Sequence, residues 1–147
     1  MRESQLIYAL IRGLYGVAHL DRVNCGTVTT QDGRKFSTGV PKGYSDLSGY
    51  LRQEVSTTGA PIPLYIEAKV GNNKPTEEQI RFIETKKKDG CIAGIVWSVN
   101  GAWDLLMPYI RKDTGYYSDD HAQQTEECNS DGKDGVFSGV FQLSEHP

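Results

Sequence analysis

Cysteine is scarce in this chain. Cys25, Cys91 and Cys128 are odd in number, far apart and never spaced Cys-x-x-Cys, which argues against a disulfide framework and against a cysteine zinc site. Long apolar runs are missing too. No stretch approaches the roughly 18 apolar residues of a membrane helix, and the N-terminus carries no apolar signal region. A reducing cytoplasm is therefore the expected compartment. Histidine is equally sparse, and His19, His121 and His146 lack the partners of a ligand set, so they read as surface residues. No internal repeat is visible.

At 147 residues the chain is long enough for one domain with a sizeable core. Its net charge of −3 argues against nucleic acid only until the charge is placed. Residues 1–112 hold 15 Lys+Arg against 11 Asp+Glu, or +4, whereas residues 113–147 hold 1 against 8, or −7. A basic body with an acidic tail is compatible with a nucleic-acid-binding surface. The boundary falls at 112, with 113–147 read as an acidic, irregular tail. Within the tail Val136-Phe137 and Val140-Phe141 are the apolar pairs able to dock. A tail of this charge is expected to compete with DNA for the basic face.

The body reads as helix, two or three strands, helix, strand, helix. Leu6, Ile7, Leu10, Ile11 and Leu14 recur at helical spacing over 3–15, ending at Gly13 and Gly16. Residues 21–30 read as a strand, closed by an Asp32-Gly33 turn. Residues 37–45 read as a loop, 46–55 as a strand with a bulge at Gly49, and 62–70 as the next strand after the turn at 57–61. Thr76 with Gln79 three residues later forms a capping-box signal for a helix ending near Lys88, whose last turn holds Lys86, Lys87 and Lys88. Ile92 to Val99 is a short buried strand, and a second short helix starts at Asn100, with Trp103, Leu106 and Met107 apolar and Pro108 at its end. The class is α/β (α+β): a central mixed sheet flanked by helices. If 62–70 and 92–99 run parallel, the helix between them is a right-handed crossover.

The chemistry concentrates in Tyr65-Ile66-Glu67-Ala68-Lys69. Strand alternation sends Leu64, Ile66, Ala68 and Val70 one way and Tyr65, Glu67 and Lys69 the other. An acid and a base on one face of a buried strand are costly unless paired or bound to a metal. Asp46 begins the preceding strand, so a hairpin turning at 57–61 brings Asp46 and Glu67 together as hard oxygen ligands for Mg²⁺ or Mn²⁺, with the Ala68 carbonyl beside them. Lys69 is then placed to stabilise charge on a scissile phosphate. Taken singly, these residues have plainer readings. Glu67 and Lys69 read as a solvated face, Asp46 as a turn cap, Gln79 as a capping-box residue and Glu3 as a first-turn acid. Glu3 nevertheless lies four residues before Ile7, on the inner edge of the apolar stripe.

Together, Glu3, Arg22-Val23-Asn24-Cys25-Gly26, Gly43-Tyr44-Ser45-Asp46-Leu47, Ile66-Glu67-Ala68-Lys69, Thr76-Glu77-Glu78-Gln79 and Gly90 before an apolar strand resemble the VRR-NUC (virus-type replication–repair nuclease) pattern. These domains form a branch of the PD-(D/E)xK restriction-endonuclease-like superfamily. The resemblance covers roughly residues 3–110. It implies a restriction-endonuclease-like core and metal-dependent DNA cleavage. Asp46, Glu67, the Ala68 carbonyl and Glu3 would be metal ligands, Lys69 the catalytic lysine and Gln79 an active-site helix residue. Small stand-alone members similar to this chain occur in phages and prophages, so the compartment would be a bacterial host's cytoplasm. Some resemble Holliday-junction resolvases and work as homodimers, which suits a two-fold junction. The larger Fanconi-associated nuclease carries the same domain for flap and crosslink repair. Ser45 departs from the superfamily, which has proline there, a residue that is not a ligand.

The expectation is a Mg²⁺- or Mn²⁺-dependent, structure-selective DNA endonuclease acting in replication or repair. Lys42, Lys74 and Arg81 are candidate DNA contacts, joined by the 86–88 lysines, which also read as a helix end in solvent. Tyr44 and Tyr65 either stack on DNA or pack. No base-reading motif is present, so recognition is expected through shape. The rivals are a DNA-binding module with a vestigial site and an interaction protein whose basic body and acidic tail engage each other or a partner.

Overall fold

A computed structural model describes residues 1–24 and 26–116. The tail pairs Val136-Phe137 and Val140-Phe141, with Cys25, Cys128, His121 and His146, lie outside the described residues.

The chain builds helix α1 (Glu3–Gly13), strands β1 (Ala18–Arg22), β2 (Gly26–Thr29), β3 (Lys35–Thr38), β4 (Leu47–Leu51) and β5 (Ile62–Ala68), helix α2 (Glu77–Lys88), strand β6 (Ile92–Val96) and helix α3 (Val99–Leu106). Short 3-10 turns follow at Met107–Tyr109 and Lys112–Thr114. Four strands form a mixed sheet in the order β1-β4-β5-β6, and β2-β3 form a separate hairpin. β4 runs antiparallel to β1 and β5, while β5 and β6 are parallel with α2 between them. This is the expected mixed sheet flanked by helices.

Period-two alternation divides the sheet into two faces. Leu64, Ile66 and Ala68 of β5 and Ile92 and Val96 of β6 join Leu6, Ile7 and Leu10 of α1, Leu14 just past its end, and Ala102 and Leu106 of α3 in the main core. Ala93 and Ile95 point the other way, onto Ile83 of α2, with Tyr65, Ile80, Phe82 and Trp97 around them. Each fully buried leucine stabilises by about 1.5–3 kcal/mol through apolar burial, so the first face carries most of the fold.

Several boundaries differ from the sequence reading. The strand expected over 21–30 is two strands in different sheets, because the chain leaves the main sheet after Arg22 and enters the hairpin at Gly26. The loop expected over 37–45 begins inside β3. Strand 92–99 stops at Val96, since Ser98 caps α3 by accepting the Gly101 amide at 3.0 Å. No bulge occurs at Gly49. It pairs in unbroken register with Leu20 and Leu64. Glycine is required there because a Cβ would lie 1.8 Å from the His19 carbonyl oxygen.

The last described residues are tied to the body. The Thr57 amide donates to Tyr109 and the Arg111 amide to Val55, each at 2.8 Å. Tyr116 stacks on Trp103 with ring centroids 6.1 Å apart.

Candidate active site

The site lies where β4 begins and β5 ends. Register pairs Leu47 with Ile66, so one further step sets Asp46 opposite Glu67. Hydrogen bonds hold Asp46 on both sides. Its carbonyl accepts the Val23 amide at 2.8 Å and its carboxylate accepts the Ala68 amide at 2.9 Å. The second bond ties Asp46 to the strand that carries Glu67 and Lys69. Ser45 is buried and donates its hydroxyl to the Leu47 carbonyl at 2.9 Å, bracing the same entry. Sequence reading assigned Ser45 no role. A hydroxyl that finds its acceptor two residues on is a local pattern a sequence leaves ambiguous.

Glu67 and Lys69 are not a solvated face. They are 1% and 8% exposed, on the sheet face that α2 covers. Lys69 donates its ammonium to Glu67 Oε1 at 2.6 Å, and its amide bonds the Val96 carbonyl at 2.9 Å. Gln79 performs two tasks at once. Its Oε1 accepts the Thr76 amide at 2.9 Å to close the capping box, and its Nε2 donates to Glu67 Oε1. The capping and active-site readings of Gln79 are therefore compatible, because an amide offers an acceptor at one end and donors at the other.

Glu67 Oε1 thus receives two donors, while Glu67 Oε2 is buried with no hydrogen-bond partner among the described residues. Burial raises the carboxyl from 4.5 to about 7, the Lys69 bond opposes that rise, and the charge of Asp46 adds to it. A buried carboxylate oxygen in this state calls for a proton or a cation.

The structure brings together Asp46, Glu67, Ala68, Lys69 and Gln79. Glu3 is the first residue of α1, where an acid favours the helix dipole. Among the described residues no group of three or more His, Cys, Asp or Glu side chains is gathered to hold a metal ion.

Among the candidate DNA contacts, Lys42, Lys74 and Arg81 are all exposed. Lys42 pairs with Glu78 at 3.3 Å. Beneath that pair Gly43, at φ +87°, lies so close to α2 that a Cβ would stand 2.7 Å from the Glu78 backbone. Tyr44 and Tyr65 pack with each other and with Phe82, at centroid separations of 4.5–6.1 Å. Lys86 caps the cluster, 4.8 Å from the Tyr65 ring centroid. Phe82 was not singled out from sequence, although its place three residues after Gln79 puts it on the same helix face.

The chain matches no protein-family model and no curated protein sequence. No described helix is long and apolar enough to cross a membrane.

Proposed function

We propose that the chain is a Mg²⁺- or Mn²⁺-dependent DNA endonuclease of the PD-(D/E)xK kind, hydrolysing phosphodiester bonds in branched or otherwise structured DNA. The observation that carries this reading is the buried Glu67, flanked by Asp46 across the β4–β5 pair and held by Lys69 and Gln79, with one carboxylate oxygen unpartnered. The donor set fits a hard divalent cation. The Asp46 and Glu67 carboxylates and the Ala68 carbonyl would hold it, and two acids suffice for Mg²⁺, which keeps several waters and takes a substrate phosphate oxygen. When bound, the cation supplies Lewis-acid polarisation of the phosphate and acidifies its water.

The remaining work belongs to the chain. Lys69 holds a positive charge in a dry site, where it counters negative charge building on the phosphate. Gln79 fixes the Glu67 rotamer from the start of α2. Below about pH 7 the metal-free protein keeps a proton on the Glu67 carboxyl, and that proton must leave before the carboxylate binds a cation.

The test is cleavage of labelled duplex, flap, splayed-arm and four-way-junction DNA with Mg²⁺, Mn²⁺ or EDTA, comparing the native chain with Lys69→Ala. Metal-dependent cutting that falls at least about 100-fold in Lys69→Ala supports the nuclease. Symmetric nicks across the junction indicate a homodimer. Retained binding without cutting under either metal overturns the nuclease. It would favour a second reading, a DNA-binding module with a vestigial site.

A further inference from the structure

The β2–β3 hairpin is the part of the described chain with the least reason to be ordered by itself. All four β2 residues are exposed, and so are Lys35, Phe36 and Ser37 of β3. A lone two-stranded hairpin is marginally stable in water, and this one belongs to no larger sheet. Its two faces differ. Val28 and Phe36 are register partners, 52% and 53% exposed, and form an apolar pair on one face. Alternation puts Thr27, Thr29, Lys35 and Ser37 on the other, a surface of hydroxyls and one ammonium without an acid. Arg34 adds a charge beside the turn, paired with Asp32 at 3.3 Å.

The root of the hairpin is at the candidate active site. β1 leads into it, and the Val23 amide bonds the Asp46 carbonyl. The chain leaves through Gly43, packed on Glu78, and reaches Asp46 three residues later. A substrate seated at Asp46 and Glu67 therefore lies beside the hairpin.

We infer that the β2–β3 hairpin is a substrate arm that enters a groove of duplex DNA next to the cleavage site, with Arg34 and Lys35 on the phosphates and Phe36 against the groove wall. The inference rests on the nuclease reading above and adds the element that grips the duplex. A two-stranded ribbon fits the major groove, about 12 Å wide, and hydroxyls and cations are the usual donors to DNA phosphates. A second copy of the chain is a poorer occupant. A stable dimer buries about 800 Å² per partner, and one exposed Val–Phe pair is a small fraction of that.

The test is duplex binding by fluorescence anisotropy in EDTA over a salt series, with cleavage in Mg²⁺ and mass by light scattering measured in parallel. Arg34→Ala/Lys35→Ala is expected to weaken binding at least about tenfold at low salt and to flatten the salt dependence by about two phosphate contacts. Phe36→Ser is expected to weaken binding at every salt concentration without changing that slope. The altered side chains are exposed, and unchanged thermal melting confirms folding. Native affinity in these variants, with the native chain still cutting DNA, overturns the arm and leaves the nuclease standing. Variants that change the mass but not the DNA affinity overturn it in favour of self-association. A native chain that neither binds nor cuts DNA overturns the nuclease reading, and the arm with it.

Discussion

Raising the pH of the metal-free protein from 4.5 to above 7 is expected to remove about 3 kcal/mol of folding stability through Glu67 alone. Below pH 4.5 the carboxyl is protonated in the folded and unfolded chains, so it contributes no difference. Between 4.5 and about 7 the unfolded chain releases the proton while the folded chain keeps it, and stability falls with each step in pH. Above that window both states are ionised and the full cost of the buried carboxylate is felt. For a chain of this size the change corresponds to roughly 10 °C in melting temperature. Glu67→Gln keeps the shape and an acceptor for Lys69 but cannot titrate. The measurement is the melting temperature of both proteins from pH 4.5 to 8 in EDTA. Asp32 and Glu78 are shifted too, but both are common to the two proteins, so they cancel in the difference. Parallel pH curves for the two proteins would refute the argument. At pH 8 a divalent cation at a hundredfold excess over its Kd is expected to restore about 2.7 kcal/mol to the native chain and little to Glu67→Gln.

Three further outcomes are expected. Gln79→Ala removes the acceptor for the Thr76 amide and a donor to Glu67, and is expected to cost about 1–2 kcal/mol in denaturant unfolding while slowing cleavage. Asp46→Asn retains an oxygen for the Ala68 amide, so stability is expected to change by less than about 1 kcal/mol, whereas metal-dependent heat in calorimetric titration disappears. Gly49→Ala places a carbon 1.8 Å from the His19 carbonyl oxygen, and a loss of at least about 3 kcal/mol, read by urea unfolding, is expected as β1 is forced off β4.

Periodicity was legible because burial imposes it locally. The stripe Leu6, Ile7, Leu10, Leu14 identified α1 and its buried face, and Thr76 with Gln79 identified the start of α2. The Glu67-x-Lys69 alternation placed acid and base on one face, and Lys69, just past the end of β5, does meet Glu67. Boundaries that depend on nonlocal pairing were not legible. Nothing in residues 21–30 says that Arg22 pairs with Leu47 while Gly26 pairs with Thr38. Gly49 looked like a bulge because its true reason, the His19 carbonyl, lies on another strand.

The sequence by itself determined both long helices, the central strands and the residue types available to the site, since these follow from periods of 3.6 and 2 and from side-chain chemistry. Only the tertiary structure decided which of those residues meet. Antiparallel register drew Asp46 to Glu67, and the crossover through α2 delivered Gln79 to the same carboxylate. Glu3 opens α1, where its charge favours the helix dipole. A carboxylate's ability to hold a cation depends on distances across strands and helices, and those distances are set by packing rather than by spacing along the chain.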